Sequence, residues 1–205
     1  MLSDVGRSAI AIPSLVVAPG RGTHDDRALV DAVLAGDRDA FRSVVDREGP
    51  AVVRACQRVL GDLHEAEDVA QEAFVTAFRS LPAWRGDGPL GAWLARIAVR
   101  LAVRRASSRR SVGWIRPEEA GGITDPDGSG DPATAALRTE RTALVRSAVA
   151  ALDEPYRETV ALRFFADRTL AEIAVETGRP LGTVKTHLHR GLLRLRATLD
   201  AGADR

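Results

Sequence analysis

The 205-residue sequence lacks several features on which common protein classes depend. Its single cysteine, Cys56, excludes an internal disulfide and is typical of a reducing compartment. The most apolar early stretch, residues 9–18, is interrupted by Pro13 and is too short to span a bilayer. A Gly-rich phosphate loop, a Ser/His/Asp constellation and an activated cysteine are missing, which argues against an enzyme. We therefore expect a cytoplasmic protein without membrane insertion and without catalytic residues.

Charge is nearly balanced overall but unevenly distributed. The formal net charge is +1, which by itself does not indicate a nucleic-acid-binding protein. Residues 90–110 are predicted to form a helix in which Arg96, Arg100 and Arg104 recur every four residues, and no acidic residue occurs between positions 87 and 118. The usual interpretation is a solvated charged face. Because these cations have no acid at helical spacing, we expect them to repel one another unless a polyanion binds.

Residues 169–196 have the pattern of a helix-turn-helix. Thr169 is placed to cap the first helix, and Gly178 is placed to end it in the left-handed conformation. The second helix has an apolar stripe on one side and a small, donor-rich and cationic face on the other, as entry into a DNA major groove requires. The candidate base and phosphate contacts on that face are Thr183, Lys185, Thr186, His189 and Arg190. The alternative is an amphipathic hairpin whose polar face is solvated.

The most regular apolar pattern predicts a helix over residues 64–81 with two continuous stripes. One stripe faces the core, and the other is free to contact a partner. The partner-facing stripe includes Asp68, Gln71, Glu72 and Val75.

The same helix has His64, Glu65, Asp68 and Glu72 at spacings close to a metal-ligand pattern. A carboxylate-bridged metal site would need a second ligand helix of the Glu-x-x-His type, and the sequence has none. We therefore expect no metal and no cofactor.

These patterns predict an all-α protein of two small helical bundles. Residues 1–24 form a disordered N-terminal extension, and residues 25–110 form the first bundle. Residues 111–135 are rich in Gly, Pro and acids and form a flexible acidic linker, and residues 136–200 form the second bundle. Each bundle has a candidate nucleic-acid face, which suggests that two DNA elements are bound at a spacing that the linker allows.

Four segments in this order resemble the extracytoplasmic-function (ECF) sigma factors of bacteria, members of the sigma-70 family. They are DAFRSVVDREGPAVVRAC, EAEDVAQEAFVTAFRSL, WRGDGPLGAWLARIAVRLA and LDEPYRETVALRFFADRTLAEIAVETGRPLGTVKTHLHRGLLRLR. The resemblance covers about residues 25–110 and 136–199. It implies a sigma factor that binds core RNA polymerase and directs initiation at promoters with −10 and −35 elements.

The resemblance also implies roles for individual residues. The first bundle (region 2) would bind the β′ clamp helices of polymerase and melt the −10 element, and the second (region 4) would bind the β flap and the −35 element. The polymerase-binding residues would be Asp68, Gln71, Glu72 and Val75. The −10 contacts would be Trp84, Arg85, Asp87, Arg96, Arg100 and Arg104. The −35 contacts would be Thr183, Lys185, Thr186, His189 and Arg190. The linker would enter the nucleic-acid channels of polymerase, and an anti-sigma factor is a further expected partner.

Some positions depart from the family or stay open. Many relatives have a bulky aromatic at Leu90, asparagine at Arg100 and arginine at His187, so the promoter sequence is not fixed by the resemblance. Trp93 is expected in the core, whereas Trp84 is either core or a melting wedge. The alternative function is a helix-turn-helix regulator that acts without polymerase. That class would need a ligand or receiver domain, and the N-terminal half has no βα pattern for one.

Overall fold

A computed structural model describes residues 23–111 and 132–203 of the chain. The extension and linker predicted from the sequence fall largely outside these ranges. Every regular secondary-structure element assigned within these ranges is a helix, which confirms the all-α prediction. The helices of the first bundle are α1 (Thr23–Leu34), α2 (Arg38–Leu60), α3 (Leu63–Ser80) and α4 (Leu90–Ser111), with a short 3₁₀ helix at Leu81–Ala83. Those of the second are α5 (Pro132–Ala150), α6 (Tyr156–Phe164), α7 (Leu170–Thr177) and α8 (Leu181–Ala203).

The start of α5 and the apolarity of the helices bear on two expectations from the sequence. Helix α5 begins at Pro132, inside the stretch that the sequence assigns to the linker, and proline is well suited to the first turn of a helix. None of the helices in the described ranges is long and apolar enough to cross a membrane.

Local signals in the sequence set several helix ends. The Asp37 carboxylate caps α2 by accepting from the amides of Asp39 and Ala40. Thr169 caps α7 and forms a reciprocal capping box with Glu172. Gly178 ends α7 in the left-handed conformation at φ 66°. The structure thus confirms the predicted roles of Thr169 and Gly178.

The core of the first bundle is built around the alanine-rich face of α3. Small side chains there let α2 and α4 approach closely, and most of the predicted core stripe is buried. The buried residues of α3 are Ala66, Val69, Ala70, Ala73, Phe74 and Ala77. Phe78 has the same apolar spacing and is expected in the core stripe, but 49% of its surface is exposed. Its ring contacts Phe41 edge-on, with centroids 4.9 Å apart.

The second bundle packs α6 against α8 at very short range. Val160, Leu162 and Val184 are fully buried. A Cβ added at Gly191 would lie 2.7 Å from the Val160 Cγ2 atom, so a larger residue would push the two helices apart. This contact fixes the position of α8, the second helix of the helix-turn-helix.

The two bundles also pack against each other, which the sequence did not predict. Helix α4 contacts α5, α6 and α7, and the buried apolar residues of both bundles belong to one contiguous cluster. The Ser107 hydroxyl donates to the Ala150 carbonyl at 2.9 Å, and Arg146 Nε donates to the Arg58 carbonyl at 2.9 Å. The two bundles are therefore in direct contact.

Candidate nucleic-acid interface

The predicted partner-binding stripe of α3 lies opposite the core. Asp68, Gln71, Glu72 and Val75 are all exposed, and 47% of the Val75 surface is accessible. Glu72 Oε2 lies 3.5 Å from Arg105 Nη2, but both side chains are about half exposed, so the pair is weak and leaves the carboxylate accessible. Within the described ranges, His, Cys, Asp and Glu side chains form no group of three or more that would hold a metal ion.

The loop between α3 and α4 is held by residues that the sequence analysis did not single out. Arg27 Nη1 donates to the Arg85 carbonyl at 3.1 Å. Gly86 has φ 76°, and a Cβ there would lie 2.8 Å from Arg27 Nη1, so this turn requires glycine. Asp26 is buried, and its Oδ2 accepts from the Leu90 amide at 2.8 Å while Oδ1 accepts from Arg47 Nη2 at 2.5 Å. A carboxylate 64 residues away thus satisfies an amide at the start of α4.

The two tryptophans of the predicted −10 module both contact the core. Trp84 is only 9% exposed, and Trp93 is half-buried against the same apolar cluster. The structure therefore favours a core position for Trp84, which the sequence left open. Arg85 and Asp87, by contrast, are exposed in the loop.

Arg96 and Arg100 of α4 have an acidic partner, which the sequence did not indicate. Arg96 Nε and Arg100 Nε lie 3.4 and 3.5 Å from Glu158 Oε1 of α6. We expected these arginines to be unpaired because spacing along a helix relates only residues of that helix. Glu158 belongs to the other bundle, so its pairing with them could not be seen in the sequence. Arg104 is exposed and has no ion-pair partner among the described residues. It is the α4 cation most available to a phosphate.

Two further arginines of α4 pair with α3. Arg105 is close to Glu72, and Arg109 pairs with Glu65. Burial raises the pKa of the Glu65 carboxyl, while Arg109 and Arg105 act in the opposite direction. These pairs join α4 to α3 beside the partner-binding stripe.

A second buried carboxyl lies between the bundles. Burial raises the pKa of Glu176 to about 7, with Arg168 opposing the shift and Glu172 adding to it. The Glu176 carboxylate oxygens accept no hydrogen bond from a described residue, although Arg168 Nε is 3.5 Å away. The Glu176 backbone carbonyl accepts from Arg96 Nη1.

The predicted −35 contacts share the outer face of α8. Lys185, Thr186, His189 and Arg190 are exposed, and Thr183 is half-buried. No acidic side chain in the described ranges is paired with Lys185, His189 or Arg190, so this face retains its positive potential. The fully buried Val184 fixes the rotation of the helix that presents these donors.

His187 points the other way. Its ring contacts the Tyr156 ring edge-on with centroids 5.8 Å apart, and its Nδ1 is buried. Burial lowers the pKa of His187, and nearby Arg179 and Arg190 lower it further. The departure from the family at this position is therefore a packing contact beneath the recognition face.

Comparison with known proteins assigns both bundles. The family model "Sigma-70 region 2" matches residues 44–112, and "Sigma-70, region 4" matches residues 142–195. The ECF RNA polymerase sigma factor SigW of Bacillus subtilis is 33% identical over 83% of this chain and 94% of its own length. The protein belongs to the ECF family of sigma-70 factors.

Other relatives agree with this assignment. The ECF RNA polymerase sigma-E factor of Escherichia coli K12 is 34% identical to this ECF sigma factor, over 80% of the chain and 89% of the relative. The solved structure of CnrH in complex with the cytosolic domain of CnrY has a TM-score of 0.54 and 26% identity, covering 86% of this chain and 97% of CnrH. The region 2 match contains α3, the loop and α4, and the region 4 match contains the helix-turn-helix.

Proposed function

We propose a division of roles among three surfaces of this sigma factor, which directs transcription initiation together with RNA polymerase. The partner-binding stripe of α3 binds the β′ clamp helices of the core enzyme. The loop and α4 bind and melt the −10 element, and α8 binds the −35 element while its bundle contacts the β flap. The function is that of a transcription factor that works in the cytoplasm, where its DNA and polymerase are found.

The proposed polymerase-binding surface consists of exposed side chains that do not stabilise the fold. Among the described residues, Asp68 and Gln71 have no hydrogen-bond or ion-pair partner, and Val75 is an apolar side chain that the core does not use. A surface that combines an acid, an amide and an exposed aliphatic group is typical of a protein-binding patch. The opposite face of α3 is packed in the core of region 2, which fixes the direction in which the stripe points.

The −10 assignment is supported by the loop and by the cations that follow it. Arg85 and Asp87 are exposed at a loop held at both ends, and a fixed loop beside a cationic helix suits capture of an unstacked base. Arg104 is available to hold the phosphates of the displaced strand. Arg96 and Arg100 belong to the same surface but are engaged by Glu158 in this conformation.

The −35 assignment is supported by an exposed row of donors with no acidic neighbour. Lys185 and Arg190 supply positive charge, and Thr186 and His189 supply groups that can hydrogen-bond base edges. Gly182, at the start of the helix, allows close approach to the DNA backbone. We also propose control by an anti-sigma factor, since the structure of the relative CnrH is that of a complex with the cytosolic domain of CnrY.

The polymerase surface is tested by the double variant Asp68→Arg with Gln71→Ala. We expect it to lose association with core polymerase in co-purification, because it reverses a charge and removes an amide in the centre of the stripe. The matched control is Asp46→Arg, a charge reversal at an exposed position of α2. Unchanged co-purification of the double variant would contradict the assignment. DNA protection by the free protein without any polymerase association would instead favour the helix-turn-helix regulator.

A further inference from the structure

One buried carboxylate joins the −10 cations to the helix-turn-helix. The Glu158 side chain is only 6% exposed, and it lies at the junction of α4, α6 and the turn before α8. Its Oε1 is 3.4 Å from Arg96 Nε and 3.5 Å from Arg100 Nε, and its Oε2 is 3.0 Å from Arg179 Nη1. We call these four residues the Glu158 cluster. It brings two residues of region 2 and two of region 4 into one ion-pair network.

Further polar contacts hold the same two surfaces together. Arg168 Nη2 donates to the Gly91 carbonyl at 3.3 Å, close to the first turn of α4. Arg58 Nη1 donates to the Phe165 carbonyl at 3.2 Å and pairs with Asp167. The contact between the bundles is therefore specific, and it covers the side of α4 that includes Arg96.

The charge balance of the Glu158 cluster is incomplete. One carboxylate faces three guanidinium groups, so the network keeps a net positive charge. Beside it is a cavity of about 560 Å³ whose lining includes Arg100, Arg104 and Arg157. The Arg100 side chain is 62% exposed, against 23% for Arg96. A phosphate that enters the cavity therefore reaches Arg100 before Arg96 and competes with Glu158 for it.

We propose that Glu158 holds the free protein in a closed form in which region 4 covers Arg96 and engages Arg100 of region 2. A nucleic-acid phosphate that pairs with Arg100 and Arg96 takes the place of the carboxylate, and the bundles separate. The part of this inference that concerns DNA rests on the proposed −10 function. The closed form itself does not, because it follows from contacts within the chain.

The energetic consequence follows from competition for the same donors. Arg96 and Arg100 cannot pair fully with Glu158 and with phosphates at the same time, so the closed form lowers the apparent affinity for the −10 strand. Glu158 is buried, and its carboxylate carries the same sign of charge as a DNA phosphate. Its removal is therefore expected to strengthen DNA binding, the opposite of what the loss of a DNA contact would do.

The variant Glu158→Gln tests the closed form in the full-length protein. It keeps the side-chain shape but removes the charge that attracts three arginines. Small-angle X-ray scattering is expected to show a radius of gyration larger by several ångströms, because two bundles that no longer pack together have their centres of mass farther apart. The control Glu140→Gln makes the same charge change at an exposed position of α5 and should keep the wild-type value. An unchanged radius for Glu158→Gln, with helix content intact, overturns the proposal.

Binding of a single-stranded −10 oligonucleotide to the free protein supplies the second measurement. Glu158→Gln is expected to bind about tenfold more tightly than wild type, the factor that follows if about a tenth of wild-type molecules are open. Glu140→Gln controls for the added net charge. An enlarged radius with unchanged DNA affinity would mean that the bundles open but that the exposed arginines do not bind the −10 strand. That result overturns the masking of Arg96 and Arg100 and contradicts the proposed −10 function, while the closed form stands. If Glu158→Gln does not fold, Asp167→Asn removes the Arg58 pair instead and is expected to give the same two changes in smaller measure.

Discussion

His187 and His189 lie two residues apart on α8 and have different surroundings. His189 is exposed among the proposed −35 donors, whereas His187 packs against Tyr156. Each residue of a helix is rotated by about 100° from the one before it, so side chains two positions apart point in nearly opposite directions. His187 therefore packs against the fold, whereas His189 lies on the proposed recognition face. The sequence showed the donor face but could not show which aromatic ring would lie beneath it.

Arg190 provides the most direct test of a single DNA contact. Arg190→Ala is expected to weaken binding to a −35 duplex at every sequence and to lower the slope of log affinity against log salt by about one ion. The reason is that the variant contacts one phosphate fewer and therefore releases about one counterion fewer when it binds.

The control for that titration is Arg196→Ala. Arg196 is on the same helix, is 82% exposed and lies six residues beyond Arg190, outside the proposed row of DNA contacts. Its substitution should leave the slope unchanged. A slope for Arg190→Ala equal to that of wild type would remove this residue from the DNA contact.

Among the helices, α4 and the loop before it depend most on distant residues. The Leu90 amide is bonded to Asp26, and the loop carbonyl of Arg85 is bonded to Arg27, so two neighbouring residues of α1 position the proposed −10 module. This explains how a loop with two glycines and a proline can present Arg85 and Asp87 from a fixed position.

Asp26→Asn is expected to lower the free energy of unfolding by about 1–3 kcal/mol, because it weakens charge-assisted bonds to the Leu90 amide and to Arg47 in a buried site. Asp25→Asn is the matched control. Asp25 is exposed and 3.9 Å from Arg47, so its loss should cost less than about 0.5 kcal/mol. Urea unfolding followed by circular dichroism measures both. Equal effects from the two variants would mean that the buried carboxylate does not secure α4.

The reach of sequence-based prediction differs between these elements for a physical reason. The capping box at Thr169 and the left-handed Gly178 are local, so their residue types alone define the ends of α7. The Asp26 bond to Leu90 spans 64 residues, and the Arg96 bond to Glu158 spans 62. No periodicity or spacing rule relates residues so far apart. Helices and exposed faces could thus be predicted, but the neutralisation of the α4 cations could not.

For the molecule as a whole, the contact between the bundles is the main departure from expectation. Each bundle has its own apolar stripes, which is why the sequence predicts two of them. The surface between them combines contacts of the shared apolar cluster with arginines that bond to carbonyls and carboxylates, including Arg146 with the Arg58 carbonyl and Arg168 with the Gly91 carbonyl. The polar contacts leave no periodic signature in the sequence. They are also suited to opening, because the same groups can be solvated.

Every role proposed above requires that this chain gives RNA polymerase its promoter preference. The most direct measurement is run-off transcription with purified protein and core polymerase on a library of promoter sequences. We predict transcripts from templates that share one −10 and one −35 element at a constant spacing, and none when the Asp68→Arg, Gln71→Ala protein is used. Transcripts that begin at no defined site, or that do not depend on the added protein, would contradict the account.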